Sequence, residues 1–194
     1  MPLLVTVLLV SIFVSILRGG RFENLSEIHL RMWLLLPLGY LMQSATFFLP
    51  NATWAPRAGF LLILLSYLPL VAVVAVNRDK PGLWISGIGI LMNFSVIAIN
   101  RGMPVLTESI QAATQFTLET VTISNFKHVI FDQDTRLGFL ADVIPMNILG
   151  MSTVISLGDV LLALGLGVFL EDQLRRPVSW FRHKSRPEGG SATR

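Results

Sequence analysis

The sequence predicts an all-α polytopic membrane protein, a bundle of five transmembrane helices with its N-terminus outside and its C-terminus in the cytoplasm. Three observations carry this expectation. Of 194 residues, 53% are hydrophobic and only 14% charged, against roughly 25% charged in an ordinary globular chain. Apolar runs approaching the thickness of a bilayer recur along the chain. The basic residues alternate between connections in a way that sets a direction. A mean hydropathy of +0.65 agrees. Together these exclude a disordered tail, a disulfide-stapled secreted module and a conventional soluble enzyme.

The first span covers residues 3–17. No basic residue precedes it and Arg18-Gly19-Gly20-Arg21 follows, the reverse of a secretory signal, so it reads as a permanent anchor inserted N-terminus outward. The second span covers 32–49 and the third 58–76. Pro37 and Pro69 are expected to kink them, and Tyr40, Gln43 and Ser44 put polar groups at depth behind Pro37. The fourth span covers 83–99, and the fifth starts near 148 or 157 and ends at 170–174. At ~1.5 Å per residue these helices fall slightly short of the ~30 Å hydrocarbon core, so little tilt and some snorkelling are expected.

Eleven of the fifteen basic residues fall after span one, between spans three and four, or in the tail. They are Arg18, Arg21, Arg31, Arg78, Lys80, Arg175, Arg176, Arg182, Lys184, Arg186 and Arg194. Arg57, Arg101, Lys127 and Arg136 occupy the alternate connections. The positive-inside rule therefore sets the direction and accounts for a pI near 9.8 without nucleic acid. Residues 1–175 form one transmembrane domain, and 176–194 a basic, flexible cytoplasmic tail near anionic lipid.

With no cysteine and three scattered histidines, His29, His128 and His183, thiol chemistry, haem attachment and a preformed metal site have no sequence support. No metal or cofactor is expected.

Ser86, Gly89, Asn93 and Asn100 share one face of span four. The stripe suits close packing against another helix or contact with a ligand. Asp159 is either an acid near the midplane of span five or the closing member of a capping box begun by Ser156. In the second case 143–155 is expected to be partly embedded irregular backbone.

The external segment, 100–147, holds most of the remaining polar residues. Pro104 to Thr120 reads as an amphipathic helix on the outer surface. His128 and Asp132 are four apart, a spacing that on a helix suits a proton relay, half a metal site or a surface ion pair. Asp134-Thr135-Arg136 reads as a turn, and Asp142 precedes Ile144-Pro145. The ligand-binding candidates are Asn93, Asn100, Arg101, Lys127, His128, Asp134, Arg136, Asp142 and Asp159.

These residues also carry a family resemblance. Asn93, Asn100-Arg101-Gly102-Met103-Pro104-Val105, Lys127-His128, Asp134-Thr135-Arg136-Leu137, Ala141-Asp142-Val143-Ile144-Pro145 and Ser156-Leu157-Gly158-Asp159-Val160 follow in order, after Arg18-Gly19-Gly20-Arg21. The set resembles a family of small bacterial integral membrane proteins, domain of unknown function 5317, over residues 1–175. The resemblance implies a bacterial plasma membrane and a matching five-helix layout, and brings no activity, substrate or cofactor.

Three functions fit these observations. One is binding or passage of a lipid, quinone or small polar solute at an outward-facing pocket between the fourth and fifth spans. Another is an accessory subunit whose polar stripes meet a second membrane protein or another copy. The third is an enzyme on a lipid-linked substrate with His128 and an aspartate as acid and base. Membrane lipids are expected partners in every case, and nucleic acid in none.

Overall fold

The computed structural model describes residues 2–113, 126–148 and 151–176. Expectations for 114–125 and for the tail beyond 176 lie outside the described residues. Helix α1 (Pro2–Leu17) ends at Gly19, whose φ of 87° turns the chain into a 3-10 segment at Phe22–Glu27. Helix α2 (Leu35–Ser44) tightens into a 3-10 turn at Ala45–Phe48. Helices α3 (Ala55–Val76) and α4 (Leu83–Asn100) follow. Strand β1 (Met103–Val105), helix α5 (Thr107–Ala113) and strand β2 (His128–Ile130) come next. Strands β3 (Ile144–Ile148) and β4 (Met151–Ile155) and helix α6 (Leu157–Arg175) are the last elements among the described residues.

The long helices neighbour one another in the order α1, α6, α4, α3, α2. Three asparagines fasten the connections to the helix ends. The Asn77 side chain accepts from the Arg31 N–H and donates to the Arg31 carbonyl, both at 2.9 Å. Asn24 Nδ2 donates to the carbonyls of Leu174 and Arg176 at 2.7 and 2.6 Å. Asn100 does the same for the external segment. Each supplies hydrogen-bonding partners to backbone groups that a helix end or an irregular connection leaves open.

Among the described residues two helices, α3 and α4, are long and apolar enough to cross a membrane. Only 33% and 39% of their apolar windows are buried within the protein. Helix α1 contains a shorter apolar run, Leu3–Leu17.

The fold is mostly helical but not all-α. Strands β1 and β2 pair in parallel, Met103 opposite His128, and β3 and β4 form an antiparallel hairpin, Ile144 opposite Ile155. The hairpin replaces the irregular backbone expected over 143–155, because paired strands satisfy the amides that a loop would leave open. The expected helix from Pro104 begins only at Thr107, since Pro104 and Val105 belong to β1. Pro37 lies in the first turn of α2, where its missing N–H costs no helical bond, so the kink expected there has no cause. Pro69 is inside α3 as expected.

The external segment is part of the core. Ile63 and Tyr67 of α3, Ile90, Val96 and Ile97 of α4, Met103 of β1 and Leu140 form one buried cluster, with Phe126 against it. The Phe126 ring lies where a side chain at Gly59 of α3 would have to go.

Candidate functional site

The polar stripe of α4 faces α6. A Cβ at Gly89 would meet backbone atoms of Gly158 and Leu162, and one at Gly165 would meet the backbone of Ser86 and Gly82. Small residues on both helices therefore let the two backbones touch. Ser86 Oγ donates to the Leu162 carbonyl at 3.0 Å. Asn93 Nδ2 donates to Asp159 Oδ1 at 2.7 Å, and Asn93 Oδ1 accepts from Ser156 Oγ at 2.9 Å. The Asp159 N–H donates to Ser156 Oγ at 3.0 Å, and the Ser156 N–H to Asp159 Oδ2 at 3.3 Å. This closes the capping box, so Asp159 is a helix cap tied to Asn93 and not an isolated midplane acid. At these positions the backbones of α4 and α6 are in direct contact, and the Asn93–Ser156–Asp159 network lies between the two helices.

Beyond the helix ends, β1 lies between β2 and Asp142. The Asp142 N–H donates to the Pro104 carbonyl at 2.9 Å, and the Leu106 N–H to the Asp142 carbonyl at 3.1 Å. On β2, His128 Nε2 stands 3.8 Å from Asp142 Oδ2. Asp142, not Asp132, is therefore the partner of His128, because residues 128–130 form a strand and the i,i+4 proximity of a helix does not arise. Asp142 is buried, and its Oδ1 has no hydrogen-bond partner among the described residues. Burial pushes the Asp142 carboxyl up to about 8; the Asp159 carboxylate adds to the rise and Lys127 opposes it. Burial, followed by the Lys127 cation, lowers His128 to about 4.

One open feature among the described residues is a cleft of about 260 Å³ beside the last turn of α4, between β2 and the turn at 132–136. Asn100, Arg101, Asp134 and Arg136 line it, with Val129 and Ile130 as its apolar wall. Asp132 builds the turn, its Oδ1 accepting from the Asp134 N–H and Thr135 Oγ1 at 3.0 Å each. Asn100 accepts from the Arg136 N–H and donates to the Arg136 carbonyl, both at 2.9 Å. Arg101 takes the left-handed conformation, φ 58°, at the end of α4, and Leu137 does so at φ 54°.

The nine candidates thus divide by place. Asn100, Arg101, Asp134 and Arg136 meet at the cleft, and Lys127, His128 and Asp142 gather behind β1. Asn93 and Asp159 join α4 to α6. Sequence reasoning missed Tyr67, a buried residue of α3 within electrostatic reach of Asp142 and Asp159. Its signal was a phenol in an apolar span, one of only two tyrosines. It also missed Phe126, whose role depends on a groove opened by Gly59.

At the opposite end, a groove lined by Glu171, Asp172, Arg175 and Arg176 is a weaker candidate. Its arginines are engaged in i,i+4 pairs, Arg175 with Glu171 at 3.6 Å and Arg176 with Asp172 at 2.7 Å.

A protein from Thermotoga maritima, described as an uncharacterized protein, is 28% identical over 188 residues, which cover 94% of this chain and all of the relative. No solved structure matches the chain. The model of a family of unknown function, DUF5317, matches residues 27–171, from the first connection through the cleft and the α4–α6 network. By that match, over well more than half its length, the chain belongs to the DUF5317 family.

Proposed function

We propose that this chain is a multi-pass protein of the bacterial plasma membrane that binds a small anionic ligand in the cleft at its outer face. The crossings are α1, α2 with its 3-10 extension, α3, α4 and α6, with the N-terminus outside and the tail in the cytoplasm. Exposed apolar stripes at helical spacing support this: Leu9, Phe13 and Leu17 on α1, Leu34, Leu38 and Leu41 at α2, and Leu61, Leu65 and Leu68 on α3. Trp84, Ile88 and Leu91 on α4, and Leu157, Leu164 and Val168 on α6, continue the pattern. Arg18 pairs with Glu171 at 2.8 Å, and Arg31 meets Asn77, at the end opposite Arg101 and Arg136. That separation agrees with the positive-inside reading.

The observation that carries the binding reading is the placement of Arg101 and Arg136 on one polar cleft, tied together by Asn100. Guanidinium groups suit phosphate and carboxylate because their N–H donors match paired anionic oxygens. The polar face that an accessory subunit would offer to a second protein is occupied within the chain by α6. Neither His128 nor Asp142 lines the cleft, which leaves an acid–base enzyme without its catalytic pair at the binding site.

The test is thermal stabilisation of the purified protein in mild detergent by inorganic phosphate, and separately by phosphatidylglycerol. Stabilisation by phosphate identifies a free anion, and stabilisation by the lipid alone identifies a headgroup. Either effect should disappear in Arg101→Ala/Arg136→Ala. If neither probe acts on the native protein, or the double variant responds fully, the binding reading fails.

A further inference from the structure

The cleft leaves one buried ionisable pair unused. Asp142 lies behind β1 with only 9% of its side chain exposed, while the imidazole facing it across 3.8 Å is 24% exposed. The acid is enclosed, and the imidazole side chain beside it is the more exposed of the two. Among the described residues no neighbour donates to Asp142 Oδ1, so a carboxylate there has fewer of the hydrogen bonds that normally offset burial of charge.

We propose that Asp142 and His128 form a proton-binding site at the outer end of the protein, with Asp142 storing one proton and His128 exchanging it with solvent. The proton leaves Asp142 Oδ2 for His128 Nε2 after the imidazole rotates to close the gap. The ring's other nitrogen then gives a proton to water, leaving a carboxylate beside a neutral imidazole. Uptake reverses both transfers, so no other reactant is needed.

The surrounding groups favour the loaded state. Asp159, at the start of α6, lies close enough to disfavour a second negative charge, and Lys127 beside β2 partly offsets it. Tyr67 of α3 is within electrostatic reach of both acids. From α4 the nearby group is Asn93, already bound to Asp159, and from α5 Ser109 Oγ donates to the Val143 carbonyl. Glu108 of α5 is exposed. The backbone of Asp142 holds β1 through Pro104 and Leu106, so charging the side chain acts on the segment that closes over the bundle. The site lies apart from the cleft and stands whether or not an anion binds there.

The test uses the full chain in mild detergent, with 15N-labelled histidine followed by NMR and 13C-labelled aspartate followed by infrared absorption. At about pH 6 the expected result is a neutral His128 ring and a protonated aspartate carboxyl that is absent from Asp142→Asn. The carboxyl signal should fade as pH rises through about 8. In His128→Gln the signal should persist while its exchange with deuterated solvent slows by about a hundredfold, the low end of a positioned proton carrier's effect. A doubly protonated His128 or the lack of a protonated carboxyl at that pH overturns the storage site, and unchanged exchange in His128→Gln overturns the relay. If Asp142→Asn does not fold, the native spectra and His128→Gln decide both points.

Discussion

The Asn100 carboxamide holds Arg136 at both of its backbone polar groups, accepting from the N–H and donating to the carbonyl at 2.9 Å each. The same Nδ2 donates to the Val96 carbonyl in the last turn of α4, also at 2.9 Å. One side chain thus ties the turn at 132–136 to the helix end, and fixes the backbone carrying Arg136 relative to that carrying Arg101. Its geometry copies a backbone pairing, but it needs no strand on the helix side.

Asn100→Ala removes all three bonds. Partly exposed hydrogen bonds contribute about 0.5–1.5 kcal/mol each, and their loss here is partly repaid by water, so the expected destabilisation is about 1–2 kcal/mol. Asn100→Asp should be at least as costly, because its carboxylate would face the carbonyls of Val96 and Arg136 where the amide now donates. Thermal unfolding in detergent compares them, and a native-like Asn100→Asp would show that the donor bonds contribute nothing.

The α4–α6 contact predicts a different pattern. At Gly165 an added Cβ meets backbone and side-chain atoms of Ser86 and the carbonyl of Gly82, and at Gly89 it meets the backbone of α6. Either alanine variant should lose about 1–3 kcal/mol through forced separation of the helices. Gly87→Ala should lose less, because the Cβ there meets only the Val74 side chain. Equal losses at all three positions in thermal unfolding would show that contact with the facing backbone does not set the cost, since helix propensity alone favours alanine over glycine at each.

Much of this arrangement was legible in the sequence, and the illegible parts have specific reasons. The ends of α3 and α4 followed from apolar run length, and Ser156 with Asp159 marked the start of α6. The partner of Asn100 was hidden because it is backbone, which leaves no residue-specific trace. The approach of His128 to Asp142 depends on a parallel pairing of two three-residue strands, too short to show a period. The apolar run at 143–155 fits a strand pair as well as embedded backbone, since short runs do not separate the two. Arg101 and Leu137 occupy left-handed positions where glycine would have been the readable signal.

Arg101 supplies a prediction in which stability and binding part company. Its φ of 58° costs an L-residue about 1 kcal/mol that glycine does not incur. Arg101→Gly should therefore be as stable as the native protein or more stable by up to about 1 kcal/mol, and should lose stabilisation by anions. Thermal unfolding with and without phosphate or phosphatidylglycerol reads both effects. A variant that still responds fully to its probe would remove Arg101 from the binding site.

The two buried groups also set the pH dependence of folding, through opposite shifts. The folded chain keeps a proton on Asp142 up to about 8, whereas an unfolded aspartate releases it near 3.8, so this group's contribution is lost as pH rises. His128 accepts a proton only below about 4 when folded but near 6.5 when unfolded, so its contribution is lost as pH falls. Between about 4 and 6.5 each state carries one proton on the pair, and the pair leaves stability flat. From about 6.5 to 8 only the folded state keeps a proton, and stability should fall by about 2 kcal/mol at ~1.36 kcal/mol per pH unit. Single substitutions should expose the two opposing slopes in denaturant titrations across pH. Asp142→Asn should gain stability from about pH 4 to 6.5 and then level, while His128→Gln should lose it steadily up to about pH 8. If the two variants keep the same slope in these windows, the opposed shifts at this pair are wrong.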